Sequence, residues 1–173
     1  MTRRAREDAV DVILEQWRRE RPDLDVTPMG IIGRISRIER LIDEQMKAVS
    51  LKFELERWGF DVLASLRRAG KPYQLSPTQL FSSLLLTSGA MTNRIDRLEE
   101  AGLVERLHDP ADRRGVIVSL TKRGLRLIDR AVTAHMEVED AMLSCLSAGE
   151  LERFTELLRT LSQNLETAKS GRK

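Results

Sequence analysis

The sequence predicts a mainly α-helical fold that carries one small β-hairpin, and three observations predict it. Apolar residues recur at intervals of three and four along most of the 173 residues, the period of helices that bury one face. Near the middle, two short helical patterns are separated only by Leu86-Thr87. Directly after them the β-prone runs "LVERLH" and "VIVSL" flank a polar turn from Asp109 to Gly115.

The first helix is predicted from Ala5 to Glu20, with Ala9, Ile13 and Trp17 on one stripe and an end before Pro22, which has no N–H to continue the ladder. After "RPDLDV", Thr27 as N-cap and Pro28 in the first turn open a long second helix, with Ile31, Ile35, Ile38, Ile42, Met46 and Val49 on its apolar face. A third spans about Glu54 to Ala69, with Leu55, Trp58, Val62, Leu66 and Ala69 inward and Gly70 as its stop. "YQL" is extended. Ser76-Pro77-Thr78-Gln79 then makes a capping box, in which serine and glutamine each satisfy a free backbone N–H, and opens a short helix.

Ser88 caps the next helix, "GAMTNRIDRLEEAG", which turns Met91, Ile95 and Leu98 inward and stops at Gly102. The hairpin follows. A helix from about Thr121 to Leu146 carries Leu125, Ile128, Val132, Met136 and Leu143. Ser147-Ala148-Gly149-Glu150 is a second capping box, starting a last helix with Leu151, Phe154, Leu158, Leu161 and Leu165 inward; the tail "KSGRK" is expected to fray.

With 29 basic and 27 acidic side chains the net charge is only +2, so attraction for a polyanion has to come from clustering. Between Asp109 and Arg126, five basic residues (Arg113, Arg114, Lys122, Arg123 and Arg126) meet two acids. Cys145 is the single cysteine, which excludes an internal disulfide and a multi-cysteine metal site; a buried structural thiol in a reducing cytoplasm is expected. His108 and His135 have no second ligand at useful spacing, so no metal is expected. Charges interrupt every apolar stretch of "MTRRAREDAVDVILEQW", which predicts neither a secretory nor a membrane segment and a cytoplasmic protein. The chain lacks a phosphate loop, a His-Glu-His zinc motif, a nucleophile elbow and a Gly-rich dinucleotide turn, so neither enzymatic activity nor a cofactor is expected.

Two short helices joined by a tight turn and followed directly by a hairpin make a winged helix-turn-helix. The second helix of such a pair fits a DNA major groove about 12 Å wide, while the hairpin tip reaches the backbone or minor groove alongside. Arg113 and Arg114 suit that tip because a guanidinium is planar and permanently charged, and Asp112 stands where it can orient Arg114. The expected organisation is N-terminal helices over residues 1–53, the winged helix over 54–121 and C-terminal dimerisation helices over 122–173.

With Met91, Ile95 and Leu98 inward, Gly89, Thr92, Asn93, Asp96 and Arg97 point outward. Thr92 and Asn93 are assigned to base edges, Ser88 to a phosphate at the helix N-terminus, and Arg97 to a phosphate or a guanine. The competing readings are ordinary exposed polar residues on a structural helical dimerisation protein, or a nucleoid-type protein that binds DNA without sequence preference.

The run "SGAMTNRIDRLEEAGLVERLHDPADRRGVIVSLTKRG", residues 88–124, resembles the MarR family of winged-helix transcription regulators almost continuously, and the flanking helices match in order and length. The first helix is an addition to the minimal family plan. That resemblance implies a homodimer with interleaved terminal helices, bound to a palindromic operator and usually repressing. A second resemblance is to the urate-responsive, PecS-like branch, which carries an added N-terminal helix and a polar quartet. Trp17, Asp61 in "FDVL", Arg94 and Arg106 stand in matching contexts. They are thereby implied to hold an anionic purine or aromatic carboxylate: two arginines on its charge, Asp61 accepting an N–H or orienting an arginine, and Trp17 covering a ring. Arg94 is the most distinctive of the four, since the usual family pattern is aliphatic there. The alternatives are packing for Trp17 and pairing of Asp61 with Arg57 or Arg68 along its own helix.

Overall fold

A computed structural model describes residues 7–84, 88–110 and 115–170. The chain forms two compact units, Met1–Glu54 and Leu55–Lys173.

The first unit holds α1 (Ala9–Glu20) and α2 (Thr27–Phe53). Asp8 starts α1 by accepting the N–H groups of Val10 and Asp11 at 2.7 and 3.1 Å, while the Asp11 carboxylate accepts the Asp8 N–H at 2.9 Å. The predicted start at Ala5 lies outside the described residues. Val10 and Leu14 face inward with Val26, not the predicted stripe of Ala9, Ile13 and Trp17, which is exposed. The glycines of α2 explain the choice. A Cβ on Gly30 would stand 3.0 Å from Leu14, and one on Gly33 would stand 3.4 Å from Val10, so these positions form the recess that receives the two side chains. Arg34 closes it, donating to Asp8 at 2.9 Å and to Asp11 at 2.6 Å.

The N-cap of α2 is Val26, one residue before the predicted Thr27, and Asp25 accepts the Thr27 N–H at 2.9 Å. Of the predicted stripe on α2 only Val49 is buried; Ile31, Ile35, Ile38 and Ile42 are exposed.

The second unit is built on α3 (Arg57–Arg68), which packs against α4 (Pro77–Leu84), α5 (Ser88–Glu100) and α6 (Lys122–Leu143). Val62, Leu63 and Leu66 are fully buried, whereas Ala69 falls beyond the helix end and is exposed. Gly70 follows with φ +78°, a conformation that favours glycine. Both predicted capping boxes form. Ser76 and Gln79 exchange backbone-to-side-chain bonds of 2.8 and 3.2 Å, and Ser147 and Glu150 exchange bonds of 2.8 and 3.4 Å at the start of α7 (Ala148–Ser170). The predicted turn at Leu86-Thr87 lies outside the described residues.

The hairpin pairs β2 (Val104–His108) with β3 (Val116–Leu120), Val104 opposite Leu120 and His108 opposite Val116. The Asp109 N–H closes it on the Gly115 carbonyl at 3.0 Å. A third strand, β1 (Gln74–Leu75), pairs antiparallel with β3, giving the order β1-β3-β2. Thr121 caps α6 by accepting the Gly124 N–H at 3.0 Å and donates to the Gly102 carbonyl at 2.8 Å. Only glycine fits at Gly124, where a Cβ would lie 2.0 Å from the Leu103 carbonyl oxygen.

Helix α6 ends at Leu143, before the predicted Leu146. Cys145 therefore sits in the turn to α7 and is exposed, contrary to the expected buried thiol. Gly124, Ile128, Ala131 and Ala134 are the buried residues of α6, while Met136 and Leu143 are exposed, as are Phe154, Leu158 and Leu165 on α7. Among the described residues no helix is long and apolar enough to cross a membrane, and no group of three His, Cys, Asp or Glu side chains is placed to hold a metal ion.

Candidate nucleic-acid interface

Helix α5 separates its faces as its 3.6-residue period requires. Met91, Ile95 and Leu98 are 2, 2 and 3 % exposed, which leaves Thr92, Asn93 and Arg97 open to solvent on the opposite side. A helix whose other face is locked into a core holds the backbone of its exposed positions in place, so their side chains are presented from a fixed base. Ser88 is the first residue of this helix; its side chain, and the wing-tip residues Asp112, Arg113 and Arg114, lie outside the described residues.

The charged flank of α5 is organised more tightly than its sequence suggests. Asp96 is half-buried and turned toward the wing, where with Glu99 it clasps the Arg106 guanidinium from β2. Glu99 also accepts the Arg106 backbone N–H at 2.9 Å. Burial opposes the Arg106 charge, but the two carboxylates outweigh it and raise its pKa further above the usual range. The clasp ties the wing to the helix that precedes it. The signal was present in the sequence, since acids three apart share one helix flank and an arginine follows on the next strand.

Arg97 and Arg94 both lie over the Trp58 ring, at 4.8 and 5.8 Å from its centroid. Trp58 is half-buried, not wholly inward as its helical stripe predicts, because its indole N–H reaches out to Glu56 at 2.7 Å. Glu56 also accepts from Arg97 at 3.2 Å. Neither Glu56 nor Trp58 stands out in sequence, being 41 and 39 positions from Arg97.

Asp61 occupies a half-buried position on α3 among cations. Burial raises its pKa above the ordinary aspartate value, opposed in turn by the charges of Arg57, Arg94, His135 and Arg68. Beside it the Phe60 ring stacks on His135 at 4.7 Å, and His135 meets Glu139 at 3.0 Å. Within this unit, then, Asp61 and Arg94 share one electrostatic environment, while Arg106 is engaged by Asp96 and Glu99. Trp17 belongs to the first unit, where the residue is 41 % exposed.

A helix pair with one polar face held outward, closed by a small antiparallel sheet, defines a winged-helix, DNA-binding transcriptional regulator. The chain belongs to the MarR family, which it matches over residues 56–116. It is 44% identical to the HTH-type transcriptional regulator PecS of Dickeya dadantii (strain 3937) over 156 residues, 90% of this chain and 94% of that protein. Among solved structures it is similar to a cysteine-to-serine variant of MarR from E. coli complexed with operator DNA, at 28% identity and a TM-score of 0.67, covering 79% of this chain and 94% of that one. It also shares its fold with AbsC, a MarR family transcriptional regulator from Streptomyces coelicolor, at 21% identity and a TM-score of 0.75, over 83% of this chain and 97% of that one.

Proposed function

We propose that the protein is a homodimeric repressor that binds a pseudo-palindromic operator and is released from it by a small anionic aromatic ligand, urate or a related purine. The observation that carries the DNA part is the division of α5 into a buried Met91-Ile95-Leu98 face and an exposed face bearing Thr92, Asn93 and Arg97. In this reading Thr92 and Asn93 meet base edges, Ser88 meets a phosphate at the helix N-terminus, Arg97 meets a phosphate or a guanine, and Arg113 and Arg114 deliver charge at the wing, Arg114 oriented by Asp112. Dimerisation falls to the terminal segments, residues 1–53 and 122–173, whose exposed apolar faces on α2 and α7 favour a second copy.

The ligand part is supported by Asp61 and Arg94. A half-buried carboxylate beside an arginine of the DNA-reading helix is a place where an anion alters the charge balance of that helix. The resemblance to the urate-responsive branch extends the set to Trp17 and Arg106. An anion that draws the Arg94 guanidinium toward the core shifts α5 away from its DNA-bound geometry, and linkage then requires DNA to weaken ligand binding by the same factor.

The test is release of operator DNA, followed by fluorescence anisotropy, on titration with urate, other purines and phenolic acids. Release that is blunted in Arg94→Ala and Asp61→Asn, with the dimer intact in both, supports the reading. Equal release from both variants, or none from the unsubstituted protein, contradicts the ligand part and leaves the DNA part standing.

A further inference from the structure

Arg97 lies one turn beyond Asn93 on the exposed face of α5, yet its guanidinium is already occupied. Its Nη2 donates to Glu56 Oε1 at 3.2 Å, and the group lies over the Trp58 ring, 4.8 Å from the centroid. The other oxygen, Glu56 Oε2, accepts the Trp58 indole N–H at 2.7 Å. One carboxylate at the N-cap of α3 therefore fixes both the ring and the cation above it. The Trp58 hydrogen bond, and after it Arg97, hold the Glu56 carboxyl below the ordinary glutamate range.

Toward an arginine, a carboxylate and a phosphate offer the same thing, an anionic oxygen acceptor. We propose that Glu56 is a positioning residue that occupies Arg97 in the free protein as an internal substitute for a DNA phosphate, so that DNA has to displace it. This rests on the assignment of α5 to the DNA. The Arg97 and Glu56 side chains are 55 and 63 % exposed, so water screens the pair and it is weak, as a displaceable contact has to be. Trp58 gives the arrangement its direction. Once the carboxylate is displaced, the ring still offers its face to the guanidinium, so the released cation stays held beside α5.

The experiment is a double-mutant cycle on DNA affinity, measured with the operator and with a random-sequence duplex of the same length. Glu56→Gln keeps an acceptor for the indole but removes the charge that holds Arg97. It is expected to tighten binding to both duplexes by about two- to five-fold, the worth of an exposed ion pair. In an Arg97→Ala background the same substitution is expected to have no effect. Glu56→Asp supplies the control for simple repulsion, because it keeps the negative charge and shortens the reach; it is expected to tighten binding as well, again only where Arg97 is present. The proposal is overturned if Glu56→Gln leaves affinity unchanged, or if it tightens binding equally with and without Arg97, which would make Glu56 a plain repulsive charge. Absence of DNA binding by the unsubstituted protein is a separate outcome that removes the regulator reading and this proposal together.

Discussion

The winged helix and the long helices α2 and α7 carry the same kind of apolar stripe and treat it in opposite ways. In the winged helix the stripe is buried within the chain: Val62 and Leu66 are 0 % exposed and Met91, Ile95 and Leu98 at most 3 %. On α2 and α7, residues at the same spacing, Ile38, Phe154, Leu158 and Leu165 among them, are 40 to 59 % exposed. An apolar period states that a face needs cover; it does not say which chain supplies it. The exposed stripes are what a homodimer of this protein would use, and the two regions should then fail differently when damaged.

The largest expected effect is on the terminal helices. Ending the chain before Ser147 removes α7 and is expected to give a monomer in sedimentation and to abolish operator binding. A truncated monomer that still held the full operator tightly would break the comparison at its root. Next comes the winged-helix core, where Leu66→Ala opens a cavity in a fully buried site and is expected to cost about 2–5 kcal/mol of unfolding free energy. Leu158→Ala is expected to lower the dimerisation constant instead, so that its melting temperature depends on protein concentration.

A smaller effect separates charge from packing. Arg114→Ala is expected to weaken operator and random-sequence binding together and to make the slope of log affinity against log salt shallower by roughly one unit, with the dimer unchanged. Equal affinity and equal slope would remove the wing tip from the interface.

The smallest is a pH effect at Asp61. A carboxyl whose pKa is raised in the folded state holds its proton more tightly there than in the unfolded chain, so it favours folding at low pH and loses that contribution as pH rises from the unfolded toward the folded pKa. Asp61→Asn is therefore expected to match the unsubstituted protein in acid and to exceed it at neutral pH by roughly a few tenths of a kcal/mol after solvent screening. A loss of stability at neutral pH would show that the surrounding arginines, and not burial, dominate at Asp61.

The sequence is legible by local rules where local chemistry decides. Ser76 with Gln79 and Ser147 with Glu150 close their capping boxes across three residues, and Gly70 and Gly102 take the positive φ that ends a helix. The same rules failed where a tertiary partner chooses between close alternatives. On α1, stripes starting at Ala9 and at Val10 differ by a single residue, and the recess at Gly30 and Gly33 selects Val10 and Leu14. Strand β1 has two residues, too few to show an alternation, and exists through its pairing with β3.

In the candidate site, the exposed positions Thr92, Asn93 and Arg97 follow from the helical wheel. The contacts among charged groups do not. Arg97 meets Glu56 and Trp58 only because α3 passes beneath α5, and that adjacency has no signature along the chain. The Asp96 and Glu99 clasp on Arg106 is open to inference from spacing, but it requires knowing that β2 turns its one arginine, Arg106, back onto α5.

Selection of bound duplexes from a random pool, with the mass of the resulting complex determined, addresses the central claim most directly. Two chains, each placing one α5 in a major groove, require an enriched pseudo-palindrome with half-site centres about 10 base pairs apart, carried by two copies of the protein. A complex of one chain on a single asymmetric site, or a pool that emerges with no enriched sequence, would contradict it.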